Sequence, residues 1–392
     1  MLPVGLPAPI NSASVPVDGA KLRVLGSGDV AFQAIVERVR NAERSVEIRA
    51  FLWRDDDAGN QFGEAVLAAA DRGAQVTIHK DKIAAVYEYT AGNKQSFFHK
   101  RVDAIRGFQA WFLGTVYRGT PGSFKQRPNA VAQRVLEHPN IRVEHHRKRF
   151  DHSKVYIVDD RYLMVGSMGI GDNHRHDWID VVVEVEGSEH VARLRERMMG
   201  HDEFDPSRGL DFLVHSREAH RKNSCPMISH RLALIDGAQK SITVEMAYFT
   251  DRRFTAALAR AVQRGVEVKV VTADQADVLA NINRATYNVL MRLTGAPENL
   301  TIMLVPRMVH SKVVVIDHRF CDVGSANFTS LSHGVYDEIN MYADSTEFAL
   351  ALEAEIESHC DGGHVVEQRL RHNRMYSGLE RAIMAYQARR GG

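Results

Sequence analysis

Cysteine is scarce: Cys225, Cys321 and Cys360 are the three in a chain of 392 residues. An odd number at wide spacing gives neither a disulfide framework nor a CxxC metal site, and it fits a reducing compartment. Long apolar runs are missing too; none approaches the ~18 residues a membrane span needs. Met1 to Pro16 has no basic segment and no apolar core, which argues against a signal peptide. The expected location is therefore cytoplasmic, with attachment to the inner membrane face no more than peripheral. A charge excess is the third absence. Lys and Arg number 50 against 49 Asp and Glu, for a net charge of +1. That excludes a chain that binds nucleic acid through bulk basic character, so any electrostatic bias is local.

What is present is a repeat. His152-Ser153-Lys154-Val155-Tyr156-Ile157-Val158-Asp159 returns as His310-Ser311-Lys312-Val313-Val314-Val315-Ile316-Asp317. Gly166-Ser167 and Gly324-Ser325 follow the two copies at the same offset. The flanks repeat as well. Helix periodicity over Gly28 to Ala42, a strand at Ser45 to Leu52, a helix over Asn60 to Arg72 closed by Gly73 and a strand at Gln75 to His79 are matched by Ile228 to Ala238, Ser241 to Phe249, Arg253 to Arg264 closed by Gly265, and Val266 to Thr272. A repeat of this length predicts an α/β fold of two similar lobes, with the paired motif forming one active site from two halves.

The boundaries follow from composition. Residues 1–20 read as a loose leader, 21–200 as the first lobe, 201–225 as a polar linker, 226–360 as the second lobe and 361–392 as a basic helix or tail. The first lobe is longer by an insertion over about 83–139, where aromatic and basic residues alternate, from Phe97-Phe98-His99-Lys100-Arg101 to Lys125 and Arg127. It is either a helical insertion with its own core or a wall that meets a phosphate-bearing, partly apolar substrate. In the tail, Met375, Leu379, Ile383 and Tyr386 fall at helical spacing, as a docked helix or a membrane-surface helix would place them.

Within a strand, residues two apart share a face, so His152 pairs with Lys154 and His310 with Lys312, while Val155, Ile157, Val313 and Val315 point to a core. Asp159 and Asp317 complete the motif and fall at the strand ends, where they brace a turn. Two imidazoles flanked by two ammonium groups suit a phosphodiester. The lysines, Ser167, Ser325 and Asn327 are the candidates for holding phosphate oxygens. One neutral histidine attacks phosphorus and the other, protonated, serves the leaving alcohol. Each imidazole needs a carboxylate to orient it. Asp180 is the candidate in the first half and Glu338 in the second, each before a strand. This scheme calls for no metal and no cofactor. His145, His146, His174 and His176 flank the first motif, but their spacing matches no standard zinc pattern.

HxKxxxxD followed by GSxN, present twice, resembles the phospholipase D superfamily over nearly the whole chain. Gly166-Ser167-Met168-Gly169-Ile170-Gly171-Asp172, Trp178-Ile179-Asp180 and Gly324-Ser325-Ala326-Asn327 are similar to stretches of bacterial cardiolipin synthases. The resemblance implies a pseudo-twofold active site between the two lobes and metal-independent phosphodiester chemistry through a phosphohistidine, with His152, Lys154, Asp159, His310, Lys312, Asp317, Asp180 and Glu338 as the catalytic set and Ser167, Ser325 and Asn327 on the substrate. It favours His152 as nucleophile and His310 as general acid. It also implies a glycerophospholipid substrate and a peripheral membrane surface. Gly169 departs from the pattern, which has Asn there. The alternative is a metal-independent nuclease of the same superfamily, which would bring nucleic acid in as partner; a non-catalytic scaffold is disfavoured because both His-Lys pairs are complete.

Overall fold

The computed structural model describes residues 13–81, 84–89, 95–98, 128–146, 150–201, 203–216 and 227–391. The first half runs β1 (Val15–Val17), β2 (Ala20–Gly26), α1 (Gly28–Arg40), β3 (Ser45–Ala50), α2 (Asp57–Asp71) and β4 (Gln75–Asp81). It continues with α3 (Ala84–Tyr89), α4 (Ala130–Glu137), β5 (Ile141–His146), β6 (Lys154–Val158) and β7 (Tyr162–Gly166). A π-helical turn (Asn173–Asp177), β8 (Trp178–Ile179), β9 (Val182–Glu186) and α5 (Ser188–Met199) complete it.

The second half opens with β10 (Leu210–His215), α6 (Met227–Gly237), β11 (Ser241–Met246), α7 (Arg252–Gln263), β12 (Glu267–Ala273) and α8 (Ala280–Thr294). Then come β13 (Leu300–Val305), β14 (Met308–Val309), β15 (Lys312–Ile316), β16 (Phe320–Gly324), β17 (Glu338–Asp344), α9 (Thr346–His359), β18 (His364–Val365) and α10 (Arg374–Gly391).

Each half builds an eight-stranded mixed sheet, in the order β1-β2-β9-β7-β6-β3-β4-β5 and β10-β17-β16-β15-β11-β12-β13-β18. The motif strands β6 and β15 sit near the middle of their sheets. Five consecutive residues of each are buried, as strands covered on both faces require. Val155 and Ile157 of β6 share one core with Val313 and Val315 of β15, so the sheets pack face to face. Tyr156 and Val158 face the other way, against Phe32 and Val36 of α1 and Phe62 of α2. In the second half Val314 and Ile316 pack against Leu258 and Val262 of α7 and Leu290 of α8. The layers are thus helix, sheet, sheet, helix. Each fully buried Val, Leu or Ile contributes about 1.5–3 kcal/mol to that arrangement.

The helices start where their caps say. Asp56 accepts the Gly59 amide at 3.0 Å, and Asp251 and Ser345 cap α7 and α9 in the same way. Gly59 also has no room for a side chain, because a Cβ would lie 1.8 Å from the Arg54 carbonyl oxygen.

Four expectations shift. The leader ends before Val15, since Val15 and Val17 are buried partners of β2. The linker carries β10, which pairs with β17 as the edge of the second sheet. Phe97 and Phe98 do not form a wall: their rings pack on Trp53 at 5.0 and 4.9 Å, inside the core of the first lobe. The rest of the named insertion, residues 99–127, lies outside the described residues. Finally, α10 docks through Ser377, Glu380 and Met384, while Met375, Leu379 and Tyr386 of the anticipated stripe are exposed. Docking is set by α8, whose Ile282 amide donates to Glu380 at 2.7 Å.

Candidate active site

His152 and His310 enter β6 and β15, and both line one pocket with Lys154 and Asn327. The backbone around them is exchanged between the halves. β14 pairs with β8 in parallel, and the amides of His310 and Ser311 donate to the Ile179 carbonyl at 2.7 and 2.9 Å. On the other side the His152 amide donates to the Asp337 carbonyl, and the Asp337 amide to that of Phe150, both at 2.8 Å. Each histidine is thereby fixed to the loop that carries the other half's carboxylate.

The carboxylates follow that exchange. Nδ1 of His152 lies 3.1 Å from both oxygens of Glu338, and Nδ1 of His310 lies 2.8 Å from Oδ1 of Asp180. The sequence reading gave each histidine the carboxylate of its own half; the pairing is crossed. Residues that stand next to each other along one lobe's sheet point across the pseudo-twofold once the loops bridge. With Nδ1–H donated to the carboxylate, Nε2 of each ring is the free nitrogen.

Burial dominates the electrostatics. It pulls the His152 imidazolium down to about 4 despite Glu338, with Lys154 and Lys312 adding to the fall. His310 is pushed well below the usual range by burial and then by Lys312, against the pull of Asp180. Burial lowers Lys154 to about 8, and burial with the like charge of Lys154 lowers Lys312 to about 7. Lys154 Nζ bonds the His152 carbonyl and Lys312 Nζ the His310 carbonyl. Burial would raise the carboxyl of Asp180, but His174 and His310 hold it well below its ordinary value.

The remaining motif residues are placed differently from the catalytic set in which they were carried. Asp159 accepts the backbone amides of Glu43, Arg44 and Ser45, the last two at 2.7 and 3.0 Å. Asp317 accepts those of Gln239, Lys240 and Ser241. Both sit in the left-handed region at φ 55°, in the β6–β7 and β15–β16 turns, where they brace the turn and tie it to the chain entering β3 or β11, and they do not line the pocket. Ser167 and Ser325 do not line the pocket. Ser167 Oγ donates to Asp180 at 2.6 Å and accepts the Val181 amide; Ser325 Oγ accepts the Ile339 amide at 3.0 Å beside Glu338. They hold the carboxylate loops. Asn327 lines the pocket, with Oδ1 accepting the Tyr248 amide at 3.3 Å.

A family model described as cardiolipin synthase, PLD-like domain, matches residues 35–201 and 232–360. The chain belongs to the phospholipase D superfamily. Cardiolipin synthase B of Escherichia coli (strain K12) is 24% identical over 361 residues, which cover 86% of this chain and 79% of that protein. Cardiolipin synthase A of Pseudomonas aeruginosa (strain UCBPP-PA14) is 23% identical over 379 residues, covering 90% and 70%. The crystal structure of phosphatidylserine synthase from Haemophilus influenzae Rd KW20 superposes with a TM-score of 0.67 at 14% identity, covering 96% of this chain and 94% of that one. That likeness speaks for the fold of two duplicated lobes. The chain is thus a phospholipase D superfamily enzyme with both His-Lys pairs in place.

Two features of this superfamily site were not legible in the sequence. Arg54 is 4% exposed, lines the pocket and donates to Asn173 Oδ1 at 2.6 Å. It follows an apolar strand and has no motif to mark it. His174 is the second. Its Nδ1 lies 2.8 Å from Oδ2 of Asp180, and its Nε2 is buried without a hydrogen-bond partner. Among the described residues, His174, Asp180 and His310 bring ligand atoms within 4.8 Å of one another. Both Asp180 oxygens already face imidazole Nδ1 groups, and Lys312 and Lys154 act on these rings. The donor set therefore fits a hydrogen-bonded cluster better than a divalent cation.

Proposed function

We propose that this enzyme transfers or hydrolyses the phosphatidyl group of glycerophospholipids through a phosphohistidine, in the manner of a cardiolipin synthase. The observation that carries the reading is the pair of crossed His–carboxylate dyads on one pocket, with a lysine beside each. A neutral Nε2 attacks phosphorus as the bond to the leaving alcohol breaks, and that oxygen takes a proton from the other imidazolium. An incoming alcohol or water then returns a proton to that imidazole while its oxygen attacks phosphorus and the P–N bond breaks. Lys154, Lys312 and Asn327 offset charge on the non-bridging oxygens.

Glu338 serves His152 as its imidazole partner, whereas Asp180 is divided between His310 and His174. His152 therefore holds a proton more readily, and we assign it the general acid and His310 the nucleophile. This reverses the assignment favoured by resemblance.

The walls support a lipid rather than a nucleic acid. Phe51, Leu52, Leu279, Leu331 and Met384 line the pocket. α10, whose Met384 lines the pocket, exposes Met375, Leu379 and Tyr386 beside Arg374 and Arg381, a composition suited to peripheral contact with an anionic lipid surface. No described helix is long and apolar enough to cross a membrane. Incubation with labelled phosphatidylglycerol vesicles in EDTA, and separately with single-stranded DNA, tests the reading. Labelled cardiolipin or phosphatidic acid is expected. DNA cleavage with inert lipid would replace it by the nuclease.

A further inference from the structure

The first half lacks the asparagine that the second half keeps. Gly169 and Asn327 are equivalent, each three residues past its Gly-Ser glycine, and His174 is equivalent to Ser332. At Gly169 a Cβ would meet Nε2 of His174 at 2.8 Å, Cδ2 at 3.1 Å and Cε1 at 3.3 Å. These are its three nearest neighbours, so the imidazole occupies the space of the missing side chain. The π-helical turn Asn173–Asp177 carries the ring there, a widened turn of the kind found at functional sites. In the second half Ser332 accepts the Asn327 amide and exchanges hydrogen bonds with Thr329, and among the described residues His152 is the one imidazole hydrogen-bonded to Glu338.

We propose that His174 is a positioning residue of this site: it replaces the absent asparagine of the first half and divides Asp180 with His310, which makes the two halves of the site chemically unequal. His174 Nδ1–H takes one carboxylate oxygen and leaves the other for His310. Its ring also stands 5.0 Å from that of His310, edge to face, and 4.7 Å from Trp178, so it limits the rotation of the His310 ring. Nε2, buried and unpartnered, is held against the position of a Gly169 Cβ, where the missing side chain would start. The charged groups acting on His174 are Asp180 from its own segment, His310 from across the bridge, Arg54 from the stretch after β3 and Lys154 from β6. Those acting on His310 are Asp180, Lys312 and His174.

The inference rests on the phosphohistidine reading, and its test separates the two. Three proteins are compared: wild type, His174→Ser, and the double variant Gly169→Asn/His174→Ser, which writes the second half's pair into the first. The substrates are a soluble nitrophenyl phosphodiester and phosphatidylglycerol vesicles. With His174→Ser, kcat should fall about tenfold or more with KM little changed. The pH limb governed by His310 should move up by about one unit, because Asp180 then serves His310 alone, while the limb governed by His152 stays. The double variant should recover most of kcat and keep the shifted limb. A fall in Tm with an unmoved pH profile would reduce His174 to a packing residue and overturn the proposal. So would failure of the double variant to recover kcat while its Tm matches wild type. Low-field proton NMR gives an activity-free arm. Wild type should show Nδ1–H signals from both rings on Asp180, and His174→Ser should lose one and shift the other. If wild type turns over neither substrate, the functional reading fails, and the NMR result still decides whether Asp180 is shared.

Discussion

His152 and His310 stand in the same motif but in different carboxylate environments, and that difference is testable on single residues. With a nitrophenyl phosphodiester, whose leaving group needs little protonation, His152→Ala should keep a burst and a trapped phosphohistidine. His310→Ala should show neither. A burst from His310→Ala and none from His152→Ala would restore the first-half nucleophile. Lys312 makes a second case. Its ammonium is fully buried and its value in the folded state, about 7, lies below the ordinary 10.5. The unfolded chain therefore binds more protons between about 7 and 10.5, so stability from this group rises with pH across that window and its full cost is present below it. Lys312→Met should abolish turnover yet stabilise the protein by about 1–3 kcal/mol at pH 6, with less gain at pH 9. Thermal unfolding at the two pH values reads it.

Elements position these residues through ends rather than middles. α8 begins after Leu279, a left-handed residue at φ 56° whose side chain cannot cap. Glu380 of α10 supplies the acceptor instead, for the Ile282 amide at 2.7 Å. Leu279 and Met384 line the pocket, so this borrowed cap joins the terminal helix to the site wall. Glu380→Ala should cost about 1–2 kcal/mol. It should raise KM for lipid more than it lowers kcat on the soluble diester, and equal effects on both would remove the wall argument. The outer face of the same helix carries a separate expectation. Met375→Glu/Leu379→Glu should weaken co-sedimentation with anionic vesicles and leave hydrolysis of the soluble diester intact.

At the scale of the molecule, the site exists because two sheets pack face to face and exchange loops. Glu338 and Asp180 each act on the opposite half. Glu338→Gln removes the charge that supports protonation of His152, so the pH limb of His152 should move to lower pH and kcat should fall about 10²-fold or more. The limb of His310 should not move. A shift at His310 instead would mean that the dyads are not crossed in solution.

The duplicated motif, its strand alternation and the apolar runs around it determined two α/β lobes and named the histidines, lysines and carboxylates, because periodicity and residue chemistry are local properties. Val155, Ile157, Val313 and Val315 were readable as core for the same reason. Local rules do not say which neighbour a side chain meets. Only the tertiary structure decided that Glu338 belongs to His152 and Asp180 to His310, since the Asp151–Asp337 bridge and the β8–β14 pairing bring together residues 186 and 130 positions apart. It also drew Ser167 and Ser325 away from the pocket, turned Phe97 and Phe98 into core, and set His174 in the space at Gly169. Each of these depends on a contact across the fold, where packing and desolvation, rather than spacing in the chain, assign the role.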